Sequence, residues 1–195
     1  MQFETAPGTN HISFQYKGSV KEVLVDGKPA VFNVAGDECQ IRIEGTNPGV
    51  SIVSVTAVPD RGYPGPAFFT SPAKLSCSGG RMPEGDWTAE GALGFYSGGI
   101  RYGKDMDINV SGSPIVLDLG EVDATCEVSV NGQFVKALIS SPYKLDISDY
   151  VHEGTNRVEV LVYSSLANHY QTIPSPYKGR PHAGLIGPVQ IHFIK

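Results

Sequence analysis

The residues of this 195-residue chain that are best suited to chemistry are aromatic and polar side chains concentrated in two stretches, 86–102 and 163–182. Aromatic faces stack on the C–H surfaces of sugars and planar polar groups meet pairs of hydroxyls, so this mixture is typical of a carbohydrate site. The candidate carbohydrate-binding residues are Trp87, Tyr96, Arg101, Asn168, His169, Tyr170, Tyr177, Arg180 and His182. A structural role competes with this interpretation, because the single tryptophan also suits a core position and Asn168 also suits a turn.

No pair of acidic residues stands in a recognisable catalytic context. A glycosidase needs two carboxylates roughly 5–10 Å apart, one on each side of the scissile bond. The acidic residues considered are Asp86, Glu90, Asp105, Asp107, Asp118, Glu121, Asp123, Asp146 and Asp149. Turn hydrogen bonding, capping and solvation explain them, and the chain has no GxSxG, HExxH or P-loop motif. The sequence therefore predicts no catalytic residue.

The sequence gives little support for a cofactor or a metal. His169 and His182 would approach each other if the loop between them folded back, but two histidines without a third ligand make a weak metal site. The segments 103–113 and 120–125 are rich in the oxygen donors that Ca²⁺ prefers, although solvated strand ends explain them equally well. We predict no cofactor and keep a structural calcium ion open.

The three cysteines, Cys39, Cys77 and Cys126, are widely spaced. An odd count without a CxxC pair argues against a disulfide framework or a zinc site. We therefore expect them to be buried as small hydrophobic side chains.

Charge and hydropathy exclude several classes of partner. The net charge is −5 and there is no cluster of lysine and arginine, which argues against nucleic acid or an anionic membrane as a partner. No stretch approaches the roughly 20 apolar residues of a membrane helix. The opening "MQFETAPGTN" lacks the features of a signal peptide, so the sequence leaves the compartment open.

Alternating hydrophobicity dominates the chain and predicts an all-β fold. The strand-like segments are 11–18, 21–34, 39–45, 50–58, 113–120, 126–138, 156–165 and 188–194. Asp26-Gly27 and Asn131-Gly132 each divide two apolar segments and predict tight hairpin turns. The 23 glycines and 14 prolines fall mostly between apolar runs, as in a turn-rich β protein.

The two hairpins also suggest an internal repeat. "EVLVDGK" (22–28) resembles "EVSVNGQ" (127–133), and 36–47 then corresponds to 153–162. The alternative is that unrelated β-sandwiches reuse the same hairpin chemistry. A true repeat would give two related β units, roughly 1–75 and 84–195.

Several motifs in order carry a resemblance to a known family. They are "GDWTAEGALGFYSGG" from 85, "LDLGEVDATCEVSVNGQFV" from 117, "PYKLDISDYVHEGTNRVEVLVYSSLANHY" from 142 and "GLIGPVQI" from 184. Together they resemble the galactose-binding-like jelly roll of glycoside hydrolases, of the family 2 sugar-binding type. The pattern is most similar to the C-terminal β-sandwich region of family 106 α-L-rhamnosidases, in which the catalytic acids lie on a separate barrel.

The resemblance implies an antiparallel β-sandwich of jelly-roll type over 84–195, with residues 1–83 forming either a small companion sandwich or the first strands of that jelly roll. It also implies a non-catalytic module that binds carbohydrate, such as rhamnose-containing or plant cell-wall glycans, or that supports a catalytic domain. An extracellular or periplasmic location is implied as well. The alternatives are a β-sandwich subunit that binds protein instead of sugar, and a small hydrolase or lyase acting alone on glycans.

Overall fold

The computed structural model describes residues 1–44, 49–110, 112–170 and 182–194. The protein is all-β, built of antiparallel sheets as expected of a β-sandwich. Its residues group into two compact units. Unit 1 comprises Met1–Met82 with Glu90–Ala92, and unit 2 comprises Pro83–Ala89 with Leu93–Lys195.

Unit 1 contains eight of the described strands, arranged as two four-stranded sheets. The strands are β1 (Gln2–Glu4), β2 (Thr9–Gln15), β3 (Gly18–Val25), β4 (Lys28–Pro29), β5 (Phe32–Ala35), β6 (Glu38–Arg42), β7 (Ile52–Pro59) and β8 (Lys74–Cys77). One sheet has the order β1-β7-β3-β4 and the other β5-β6-β2-β8. Ile12, Phe14 and Ile41 from one sheet share a buried cluster with Val23 and Val53 from the other, so the core lies between the sheets.

Unit 2 contains nine of the described strands. They are β9 (Gly99–Ile108), β10 (Ile115–Asp118), β11 (Glu121–Val122), β12 (Thr125–Val130), β13 (Gln133–Leu138), β14 (Lys144–Asp146), β15 (Gly154–Tyr163), β16 (Leu185–Gly187) and β17 (Gln190–Phe193). They form sheets of order β13-β12-β15-β9, β14-β10-β17 and β11-β16. Alternate residues are buried, such as Leu117, Val128 and Val160, so each main sheet buries one face.

Helical segments are short. Turns of 3₁₀ helix span Gly65–Phe68, Trp87–Ala89, Gly91–Phe95 and Ser148–Tyr150, and the single described α-helix, α1, spans Ala167–Tyr170. None of the helices in the described part of the chain is long and apolar enough to cross a bilayer.

Both predicted hairpin turns are confirmed. Asp26 and Gly27 have φ of 51° and 75°, and Asn131 and Gly132 have φ of 51° and 77°. Positive φ at both central positions is the requirement that made Asp-Gly and Asn-Gly informative in the sequence.

Each turn is tied to a later strand by the same pair of hydrogen bonds. The backbone N–H of Asp26 donates to the Ile52 carbonyl at 2.9 Å, and the Ile52 N–H donates to Asp26 Oδ1 at 2.8 Å. Asn131 and Arg157 form the matching pair at 2.8 and 2.9 Å. Both links span 26 residues. The turn side chain thus fixes where the following strand enters the sheet.

The two units repeat one strand arrangement. The order β4-β3-β7-β1 in unit 1 matches β13-β12-β15-β9 in unit 2, and β6-β2-β8 matches β14-β10-β17. This favours the internal repeat, but the expected partner of 153–162 was wrong. The strand in the place of β15 is β7, whereas β6, which holds part of segment 36–47, lies in the other sheet.

The cysteine prediction is confirmed in two of three positions. Cys39 and Cys126 are buried, and burial raises the pKa of each thiol to about 11. Cys77 is exposed at the end of β8, so its expected burial was wrong. All three are free thiols, which agrees with the absence of a disulfide framework.

A fully buried asparagine fastens the second hairpin turn to β15. Asn156 Oδ1 accepts from Asn131 Nδ2 at 2.8 Å and from the His152 N–H at 2.9 Å. Its Nδ2 donates to the carbonyls of His152 at 2.7 Å and Gly154 at 2.8 Å. Its side-chain oxygen and nitrogen therefore each have two hydrogen-bond partners inside the protein, where an unmatched partner would be costly.

Replacing Asn156 with alanine should lower the free energy of unfolding by about 3 kcal/mol, because several buried groups lose their partner at once. Urea denaturation measures the change. The control is Asn109→Ala, at an exposed asparagine, which should stay within about 0.5 kcal/mol of the parent. Equal effects of the two substitutions would contradict the role of Asn156.

Candidate functional site

In unit 2, two chain segments are joined by backbone hydrogen bonds at the start of the motif that contains β16. The N–H of Gly85 donates to the Leu185 carbonyl and the N–H of Trp87 to the Ala183 carbonyl, both at 2.8 Å. Gly184 has φ of +143°, and a Cβ there would stand 2.3 Å from the carbonyl oxygen of Gly85. Only glycine permits this approach, which explains the glycine of "AGLIG".

This pairing positions Asp86. Its Oδ1 accepts from the Thr88 hydroxyl at 2.7 Å, from the Thr88 N–H at 2.9 Å and from the Ala183 N–H at 3.1 Å. Burial raises the pKa of Asp86, but these hydrogen bonds outweigh it, and the net pKa lies below the usual range. Asp86 is therefore a fixed, ionised acceptor at neutral pH.

Further polar side chains gather at residues 182–185. The Asp123 N–H donates to the Gly184 carbonyl at 3.0 Å, and the Leu185 N–H approaches the Tyr102 hydroxyl at 3.5 Å. His182 Nε2 lies 3.9 Å from Glu121 Oε1. We call this set the Asp86–Asp123 cluster, and its members are Asp86, Tyr102, Glu121, Asp123 and His182.

Asp123 is the unusual member of the cluster. Its Oδ2 is buried and has no hydrogen-bond partner. Burial raises its pKa; His182 opposes that shift, while Asp86 and Glu121 add to it. The next residue, Ala124, has φ of 61°, a left-handed conformation that costs a non-glycine residue about 1 kcal/mol. Asp123 thus holds an acceptor oxygen that the described protein groups leave unused.

Trp87 is buried next to a group of aromatic residues that includes Tyr96. It is 1% exposed, its indole N–H has no partner, and its ring lies 6.1 Å from that of Tyr96. The Tyr96 carbonyl accepts from Asn168 Nδ2 at 3.2 Å, and the rings of His169 and Tyr170 are 5.5 Å apart. Tyr96, His169 and Tyr170 are exposed and form what we call the aromatic rim.

The structure brings together some of the predicted residues and separates others. Trp87 and Asn168 are each 1% exposed, so neither offers an open face for stacking or recognition. His182 belongs to the Asp86–Asp123 cluster, and Arg101 lies on β9 opposite Leu161. Tyr177 and Arg180 lie outside the described residues. The sugar-binding role of the whole set stays a prediction.

Sequence reasoning did not assign Asp123 and Glu121 to the site. The segment "GEVDAT" indicated only oxygen-rich residues before a strand, and the unusual conformation of Ala124 has no signal in the sequence. Asp105 and Asp107, by contrast, pair across β9 and β15. Arg157 Nη1 donates to Asp105 at 3.1 Å and the Thr155 hydroxyl to Asp107 at 2.6 Å, as expected of surface carboxylates.

No group of three or more His, Cys, Asp or Glu side chains among the described residues is placed to hold a metal ion. A calcium ion at 103–113 or 120–125 would therefore depend on backbone and water oxygens, and it stays a prediction.

The matching segment of unit 1 is chemically different. Tyr16 forms an isolated antiparallel bridge with Phe69 there, whereas Gly120 forms an isolated parallel bridge with Gly187 in unit 2. In unit 1, the Phe69 ring lies 5.0 Å from Phe14 and 5.1 Å from Phe68. An apolar cluster of rings thus occupies the position that carries carboxylates in unit 2, so the repeated fold does not by itself require the polar cluster.

Replacing Asp123 with asparagine should stabilise the protein at pH 7 and progressively less toward pH 4, because a half-buried carboxylate no longer has to ionise. The pKa of Asp123 is raised in the folded state, so the parent protein loses stability as pH rises from the unfolded-state value through that raised value. Thermal unfolding between pH 4 and 8 measures this. Asp149→Asn, at an exposed position, is the control, and a gain that does not change with pH would contradict the prediction.

The fold and site define a class of protein: a repeated antiparallel β-sandwich with a polar cluster in its second unit. No family model matches the chain. A putative β-glucuronidase from Formosa agariphila is 35% identical over 72 residues, which make up 35% of this chain and 6% of that protein.

Two solved structures to which the chain is similar are also glycoside hydrolases. The rhamnosidase from Novosphingobium sp. PP1Y is 18% identical, with 97% of this chain and 22% of that chain covered and a TM-score of 0.46. A family 2 β-galacturonidase from Eisenbergiella tayi is 15% identical, with 93% and 26% covered and a TM-score of 0.45. The chain spans about a quarter or less of each of the three proteins.

Proposed function

We propose that this chain is a non-catalytic β-sandwich module of a glycoside hydrolase and that unit 2 binds carbohydrate through the Asp86–Asp123 cluster. The 72-residue similarity to a putative β-glucuronidase and the ordered motifs from "GDW" to "GLIGPV" support the association with glycoside hydrolases. The motifs favour rhamnose-containing or plant cell-wall glycans as ligands.

The observation that carries the proposal is the unused Oδ2 of Asp123 beside the fixed carboxylate of Asp86. Asp123 is half-buried as a residue, so a sugar hydroxyl that reaches its carboxylate and displaces the groups covering Oδ2 can donate to this oxygen and offset the free energy that its burial costs. The Tyr102 hydroxyl and the half-exposed His182 supply further polar groups in the cluster. The matching position of unit 1 is filled with rings, which favours a function confined to unit 2.

Isothermal titration of the purified chain with rhamnose, galactose and pectic fragments tests the binding. We expect heat with at least one of them and a loss of affinity of roughly tenfold or more in Asp123→Ala, since hydrogen bonds to charged groups contribute about 1.5–3 kcal/mol. Asp149→Asn, at an exposed position outside the Asp86–Asp123 cluster, is the matched control and should bind as the parent does.

An absence of heat with every sugar would reject the binding role and favour a module that supports a catalytic domain or binds protein. The burial of Trp87 and Asn168 is the observation that favours this second candidate. Size-exclusion mass would then reveal a stable complex if the exposed aromatic rim binds protein.

The purified chain should not hydrolyse aryl glycosides, because Asp105 and Asp107 are paired on the sheet surface and Asp86 already accepts three hydrogen bonds from the protein. A chromogenic panel of aryl rhamnosides, galactosides and glucuronides measures this. Turnover that disappears in Asp86→Ala would contradict the non-catalytic assignment.

A further inference from the structure

We propose that the outer face of the sheet β13-β12-β15-β9 in unit 2 is a second carbohydrate-binding surface, one that takes an extended neutral oligosaccharide. The inference rests on the proposed function for its ligand class, but it uses none of the residues of the Asp86–Asp123 cluster. The outer face is the side opposite the buried side chains of Val128, Val158 and Val160.

The strand register places two exposed rings on this face. Phe134 lies opposite Ser129, and Tyr163 lies between Thr125 and Gly99. Phe134 is 60% exposed and Tyr163 is 38% exposed. Ser129 and Thr125 are four residues apart, so the rings are separated by about 13 Å along the strands and about 10 Å across two strands. A single sugar ring cannot contact both, whereas an oligosaccharide can.

Glycines on the edge strand β9 leave room for neighbouring side chains to lie flat across this face. A Cβ on Gly99 would stand 3.3 Å from side-chain carbons of Leu161 and Tyr163, and a Cβ on Gly103 would stand 2.3 Å from Arg157 Nη2. The side chains of β15 therefore extend over β9 instead of standing upright. The outer face is thus a flat surface from which the rings of Phe134 and Tyr163 protrude, and a sugar chain can bind along such a surface.

Tyr163 is held in place and has charged side chains of both signs around it. Its hydroxyl donates to Glu127 Oε1 at 3.4 Å, and Arg101 lies in the same cross-strand row as Glu127. Glu159 follows in the next row, near Arg157. Carboxylates and guanidinium groups placed between two rings can accept from and donate to hydroxyls, and the excess of carboxylates on this face, with Asp105 and Asp107 further along β9, disfavours an anionic sugar.

The matching face of unit 1 lacks these features. Within the described residues, the corresponding rows pair Leu24 with Ser54 and Glu22 with Thr56, and they contain no aromatic side chain. Because the two sheets share one strand order, the rings of unit 2 are not a requirement of the architecture.

Affinity electrophoresis in gels containing galactan, arabinan, xyloglucan or galactomannan tests the proposal on the full chain. We expect at least one polysaccharide to retard the parent protein, and Phe134→Ala and Tyr163→Ala each to weaken that interaction at least about threefold. Arg101→Gln should weaken it as well. Because Arg101 is exposed, this variant should fold as the parent does, so its weaker retardation cannot come from unfolding. Tyr63→Ala changes an exposed tyrosine of unit 1 with the same 38% exposure and should have no effect.

A second measurement distinguishes binding at this surface from binding at the Asp86–Asp123 cluster. Asp123→Ala should remain retarded by the polysaccharide even where it no longer gives heat with a monosaccharide. Normal migration of the parent in every gel, or unchanged retardation of both ring variants and Arg101→Gln, would overturn the outer-face surface. Either result would leave the monosaccharide titration to decide the role of the cluster.

Discussion

The pairing of residues 85–87 with 183–185 is the constraint on which the site of unit 2 depends. Gly184 lets the two backbones approach to a distance that any side chain would prevent. The approach allows the Ala183 N–H to reach Asp86, and it buries Trp87 below the same backbone. A polar cluster and an aromatic core position thus arise from one contact between segments about a hundred residues apart.

The repeat explains which features are architectural and which are particular to one unit. Both units contain the 26-residue link from a hairpin turn to a later strand, and both use the same strand orders. They differ where Tyr16 and Phe69 meet in unit 1 and Gly120 and Gly187 meet in unit 2. One position packs aromatic rings, and the other carries carboxylates with an unused acceptor. Residues that the shared fold does not require are the ones expected to carry function.

The electrostatics of unit 2 are part of what supports the proposal that its cluster binds a ligand. Hydrogen bonds hold the pKa of Asp86 down, and burial raises that of Asp123, so the two carboxylates have different proton affinities. Such a difference also occurs in acid–base pairs, but Asp86 already accepts three hydrogen bonds from the protein. An acceptor engaged in this way orients neighbouring groups, and Asp123 is the one with capacity for a ligand.

The sequence by itself determined the all-β class, the two hairpin turns and the likeness between 22–28 and 127–133, because period-two hydrophobicity and the backbone preferences of Asp-Gly and Asn-Gly are local properties. Only the tertiary structure decided that Trp87 is buried, that Arg101 lies on the outer face and that Asp123 keeps a carboxylate oxygen without a partner. Burial and pairing of a side chain depend on segments distant in the chain, such as 182–185, and no local pattern records which of them will approach.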